Sequence, residues 1–174
     1  MSGSGEVHLK EDDPDTVGRM VDYLYTLDYD DGTGAVDPEV TVEDAAGPSQ
    51  PGDEQPLTVN VQVYTVAEKY GIAALKEHAA SKFGQLVASN EVNEAFFAAI
   101  REVYSCTATT DRGLRDLVTQ AAFSNTTKLM EMPEFISVLE EFGEFAIELL
   151  RMSAKKNDEL QAAAASVARD AFDW

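Results

Sequence analysis

A mainly helical fold, α+β at most with one to three short strands, is predicted by three features of this chain. Apolar residues recur at helical spacing in segment after segment, most segments carry a start or stop signal, and alternating runs long enough for a sheet are nearly absent. In the first segment, "DDPDTVGRMVDYLYTLDY" at residues 12–29, Asp13 is placed to cap free N–H groups, Pro14 suits the first helical position, and Asp15 complements the helix dipole. Val17, Met20, Val21 and Leu24 then follow at the i, i+3, i+4, i+7 spacing of one face, flanked by Tyr23 and Tyr25. That stripe needs a partner, and only "EVHL" at residues 6–9, a candidate edge strand, precedes it closely.

After Tyr29 the stretch "DDGTGAVDPEVTVEDAAGPSQPGDEQP" is rich in Gly, Pro, Asp and Glu and has no Lys or Arg. Such a composition buries too little apolar surface to offset ordering entropy, so residues 30–56 read as a flexible acidic insert, with "VTV" its one strand candidate. The helical pattern returns from Leu57. Asn60 is a candidate N-cap, Val63, Val66, Ala67 and Tyr70 form a face, and Gly71 is a C-terminal breaker. Ile72, Leu75, Ala79, Phe83 and Leu86 mark the next helix. Ser89 or Asn90 then caps a third, lined by Val92, Phe96, Ile100 and Val103 and widened by Phe97 and Tyr104. Beyond the loop "SCTATT", Thr110 caps a helix with Leu114, Leu117, Val118 and Ala121 on one face, Pro133 opens "PEFISVLEEF", and "EFAIELLRM" begins a last helix. Its alanine-rich continuation favours helix by propensity but has little to pack, giving an exposed helix or fraying tail over residues 153–174.

The chain has 174 residues, enough for one ordinary domain or one domain with a helical extension, and a formal net charge of -19 from 32 acidic and 13 basic residues. That balance repels phosphate backbones and anionic lipid, and the nearest thing to a basic patch, "AKKND" around Lys155 and Lys156, reads as a solvated helix face. Neither nucleic acid nor membrane is an expected partner. The single cysteine, Cys106, excludes an internal disulfide and thiolate-based metal sites. With no apolar run near the ~20 residues that span a bilayer, and only the linker-like "MSGSG" at the start, an intracellular protein, cytoplasmic or nuclear, is expected.

Signals for chemistry are weak. "KEHAAS" sets Glu77 and His78 near Ser81, but adjacent helical residues do not face each other and no nucleophile elbow surrounds the serine. His8 is the only other histidine. Cys106 has no nearby base to lower its pKa. Asp30, Asp31, Asp37 and Glu39 lack the ligand spacing of a calcium loop, and "DDGTG" lacks the lysine and strand-to-helix context of a phosphate loop. No catalytic residue, cofactor or metal is expected. Tyr25, Tyr29, Tyr64 and Tyr70 read first as core residues, with anchoring of a protein partner as the alternative.

"EVHLKEDDPDTVGRMVDYLYTLDY" followed by "VQVYTVAEKYGIAALKEHAASKF" resembles the second half of a BTB/POZ domain of the type abundant in filamentous fungi. The matching residues are Tyr23, Leu24, Tyr25, Thr26 and Tyr29, then Val63, Tyr64, Ala67, Lys69, Tyr70, Ile72, Leu75, Lys76, Ala79, Lys82 and Phe83. The segment "VYSCTATTDRGLRDLV" looks like the helical extension of those proteins. The resemblance implies a BTB/POZ-type helical cluster at residues 6–88, an extension at 89–152, and a first half of the fold lying outside this sequence. It also implies a non-catalytic protein-protein interaction module that self-associates or binds an adaptor such as a ubiquitin-ligase scaffold. Val17, Met20, Val21, Leu24, Tyr25 and Tyr29 are then the candidate interface. A truncated regulatory or structural fragment is the rival reading, and an enzyme of unrecognised type the third.

Overall fold

The computed structural model describes residues 12–33, 55–89 and 92–171, with side chains to residue 165. Among these residues there are eight helices and no strand. The "EVHL" and "VTV" strand candidates lie outside the described residues. The chain divides into two compact units, Met1–Leu86 and Val87–Trp174.

In the first unit, α1 (Pro14–Thr26) packs on α2 (Pro56–Tyr70), and α3 (Ala73–Ser89) follows after a two-residue turn. The Asp13 carboxylate accepts from the Thr16 backbone N–H at 2.8 Å and from its hydroxyl at 2.9 Å, so α1 starts where its cap dictates. The α2 terminus is set by Gly71 at φ 68°, with the Ile72 N–H reaching back to the Ala67 carbonyl at 2.8 Å. Glycine takes this left-handed conformation without a Cβ penalty, which makes the sharp corner into α3.

Two expectations are corrected here. Asn60 is no cap: Gln55 holds that position, and Asn60 lies inside α2, fully buried. Nor is α2 one-faced, since Leu57, Val59, Val61, Val63, Tyr64, Val66 and Ala67 bury it round most of its circumference. Its buried amide is satisfied on every side. Asn60 accepts from the Tyr29 hydroxyl and donates to the Asp31 carboxylate at 3.0 Å and to the Pro56 carbonyl at 2.8 Å. Residues 30–33, expected at the start of a flexible insert, are therefore built into the unit. Asp30 and Asp31 also accept from the backbone N–H groups of Gly32 and Thr33, at 2.8 and 3.2 Å. Residues 34–54 lie outside the described residues.

The second unit contains α4 (Glu94–Cys106), α5 (Gly113–Ser124), α6 (Thr126–Leu129), α7 (Pro133–Glu141) and α8 (Gly143–Ala171). Helix α5 packs on α4 and α8, and α7 on α4 and α8. Asn93 caps α4 through its side chain, which receives the Phe96 N–H at 3.2 Å, in place of Ser89 or Asn90. Ser89 is still helical, as the last residue of α3. Arg112, rather than Thr110, holds the N-cap position of α5, with no side-chain cap bond. The core is aromatic: Phe97, Phe135, Phe145 and Tyr104 meet in tilted or edge-on pairs with ring centroids 5.2–6.2 Å apart.

Arg115, which the periodicity of α5 left outside the apolar face, is buried in that unit. Its guanidinium bonds the Thr107 hydroxyl and carbonyl at 3.0 and 2.7 Å and Glu144 at 2.9 Å, and sits 4.5 Å from the Tyr104 ring. Replacing Asn60 by Ala strands the Tyr29 hydroxyl and removes a donor from Asp31. The expected outcome in urea titration is a loss of about 2–3 kcal/mol, whereas Tyr29→Phe loses about 1 kcal/mol.

Candidate functional site

The stripe singled out on α1 does not face inward as a whole. Thr16, Met20 and Tyr23, at i, i+4, i+7, form the buried edge, and Tyr29 is buried beyond the helix end. Val17 is half-buried. Val21, Leu24 and Tyr25 are 40, 57 and 87 % exposed, so the core expectation fails for Tyr25. Met20 and Tyr29 are core residues of the unit, while Val21, Leu24 and Tyr25 lie on an open apolar arc. Tyr64 is buried, and Tyr70 is 37 % exposed with its hydroxyl donating to Asp12 at 2.6 Å.

Leu27, just past the end of α1, is exposed as well, and periodicity had not marked it. It terminates α1 at φ 62°, its N–H bonded to the Tyr23 carbonyl at 2.8 Å, and its side chain is 72 % exposed. No other non-glycine residue among those described has positive φ. An apolar side chain this exposed adds little to the packing of the unit, and its backbone takes a conformation costly for a residue with a Cβ. The signal in the sequence was negative: "YTLDY" lacks the Gly or Asn that usually ends a helix.

The arc is held by the turn that follows it. Asp28 meets His78 Nε2 at 2.9 Å and Lys82 Nζ at 2.8 Å and accepts the Tyr29 backbone N–H at 2.8 Å. Lys82 also donates to the Tyr29 carbonyl at 2.6 Å and lies 4.5 Å from the Tyr29 ring. The His78 ring packs 5.3 Å from Tyr23 and 5.7 Å from Tyr29. Lys82, His78 and the Tyr29 N–H hold the Asp28 carboxyl well below the usual carboxylate range. Burial would raise Asp31, but its bonds from Asn60 and Thr33 outweigh that and keep it below 3.8. Burial and the nearby Asp31 and Asp28 charges push the Tyr29 phenol up.

The structure brings together a histidine and a carboxylate, His78 and Asp28, that the sequence had not paired. Ser81 is engaged instead by the Gln85 amide at 3.4 Å. Cys106 ends α4 with an exposed side chain. Asp31 is sequestered on Asn60, while His8, Asp37 and Glu39 lie outside the described residues. Among the described residues no group of three or more His, Cys, Asp or Glu side chains is placed to hold a metal ion. No helix there is long and apolar enough to cross a membrane. Comparison with protein-family models, curated proteins and solved structures finds no match to this chain.

Relieving the strain at Leu27 is expected to stabilise the protein. Leu27→Gly should raise the unfolding free energy by about 1 kcal/mol in denaturant titration. Acid should do the opposite. Asp28 and Asp31 have folded-state values below the ordinary 3.8, so their contribution is complete above that value and is lost as pH falls through the folded ones. Thermal melts should be nearly flat in these contributions from pH 7 to 5 and drop below about pH 4. Asp31→Asn should lower the midpoint at pH 7, and its difference from the parent protein should narrow as pH falls below the ordinary carboxylate range.

Proposed function

We propose that this chain is a non-catalytic protein-protein interaction module of the BTB/POZ kind, and that it self-associates through the open face of α1. The observation that carries the reading is the exposure of Val21, Leu24 and Tyr25 on a helix whose other edge is firmly packed, with the exposed Leu27 just past its end. Tyrosine and leucine are expensive to leave in water, and a backbone strained to present one of them argues for an occupant. The matching residues Tyr23, Leu24, Tyr25, Thr26 and Tyr29 support the family assignment. In that family the helix ending in this element sits within a cluster of helices.

The chemistry of the unit favours binding over catalysis. His78 and Asp28 meet beside Lys82 and Tyr23, with no nucleophile between them, and their bonds pin a turn. Two apolar arcs facing each other across a twofold axis would bury the same residues on both copies. Asp15 and Asp22 lie to one side of the arc on the helical wheel, so apolar contact rather than charge pairing would drive the association. An adaptor or ubiquitin-ligase scaffold is the other class of occupant for this face.

Light scattering across a dilution series, with circular dichroism on the same samples, tests the reading. A species larger than one chain is expected at high concentration. Leu24→Asp and Tyr25→Asp should each return it to one chain with helical signal unchanged, because both side chains lie outside the core. A well-folded single chain at every concentration would sink self-association and move the search to the adaptor.

A further inference from the structure

Periodicity alone made Lys155 and Lys156 a solvated face, but the packing of α8 on α5 gives them a different setting. Between α5 and the middle turns of α8 lies an open groove of about 580 Å³. Its floor includes Phe123 of α5 and Met152 of α8, both half-buried. Four cations line it: Arg112, just before α5, with Arg151, Lys155 and Lys156 of α8. In a chain with 32 acidic and 13 basic residues, four cations against the two carboxylates of Glu148 and Glu159 are a local reversal of sign.

These cations differ in what already occupies them. Arg112 is committed to Glu148 and Asp116, and Glu148 is in turn held by the Tyr104 hydroxyl at 2.6 Å. Lys156 makes an exposed i,i+3 pair with Glu159 at 3.4 Å, an interaction worth only a few tenths of a kcal/mol. Arg151 and Lys155, one helical turn apart, have no carboxylate within salt-bridge distance among the described residues. Residues 153–165 of α8, which include the lining residues Lys155, Lys156 and Glu159, are exposed. An exposed helical stretch gains stability from a partner laid along it.

We infer that the α5–α8 groove binds an acidic amphipathic helix of a protein partner. Its apolar side chains enter between Phe123 and Met152, and its carboxylates pair with Arg151 and Lys155. Methionine adapts to varied side chains, and a grooved pair of helices with a charged rim is a recurring receptor for a helical peptide. Charge chooses acidic over basic occupants. The apolar floor argues against a phosphate polymer, which would gain the cations but nothing from Phe123 and Met152. This surface belongs to the second unit and does not depend on the face of α1.

The test is fluorescence anisotropy of the full chain with a labelled synthetic helix carrying leucines at i, i+3, i+4, i+7 and glutamates elsewhere. Binding is expected, weakened roughly tenfold or more by Arg151→Glu with Lys155→Glu and by raised salt, with the helical signal unchanged. Backbone hydrogen exchange across 153–165 should slow on binding. The inference is overturned by no binding, by equal binding of a peptide with its leucines scrambled out of register, or by equal competition from duplex DNA. Self-association abolished by the same two reversals would also overturn it, since a second copy would then fill the groove.

Discussion

A buried amide, Asn60, is the constraint on which the first unit depends. It stands in the middle of α2, a helix buried round most of its circumference, where an unmet polar group would cost about as much as a large apolar side chain contributes. The chain meets that demand by bringing Tyr29, Asp31 and the Pro56 carbonyl to it. Satisfying one side chain therefore folds the turn after α1 down onto α2. Asp28 then fastens the same turn to His78 and Lys82.

The orientation of α1 follows from that turn. With Tyr29 committed to Asn60 and Tyr23 packed against His78, the edge Thr16, Met20, Tyr23 must face inward. The neighbouring arc is left outside. A helix so short cannot bury apolar residues through more than part of its circumference on one partner, and the wider stripe of α1 exceeds what α2 covers. Leu27 adds backbone strain at the end of that arc.

In the second unit a charged residue has the corresponding role. Arg115 is buried because its planar donors are met by Thr107 and Glu144 while its face lies over Tyr104, a combination that suits arginine and not lysine. Tyr104 passes the connection on through Thr119 and Glu148 to Arg112. Burial and Glu148 push the Tyr104 phenol up, keeping it a donor, and bonds from Arg112, Tyr104 and Thr119 outweigh burial to keep Glu148 ionised. This network fixes the register of α8 against α5, and that register sets Arg151 and Lys155 on the rim of the groove rather than on an arbitrary face.

The mainly helical character, the Asp13 cap, the Gly71 corner, Pro133 at the start of α7 and the buried Leu75, Ala79 and Phe83 of α3 were all determined by sequence. Each rests on local chemistry: a cap, a positive φ, a fixed φ, or a 3.6-residue period. Tertiary structure alone decided which of two adjacent arcs of α1 is buried, since Val17, Val21 and Leu24 and Thr16, Met20 and Tyr23 share the same period. It also decided that Asn60 and Arg115 are interior, because a polar side chain's burial depends on distant partners that a linear pattern does not place. The strain at Leu27 and the cationic groove on α8 belong to the same class. One arises from how a helix end is anchored to another helix, and the other from packing that turns a row of ordinary surface charges toward a neighbour.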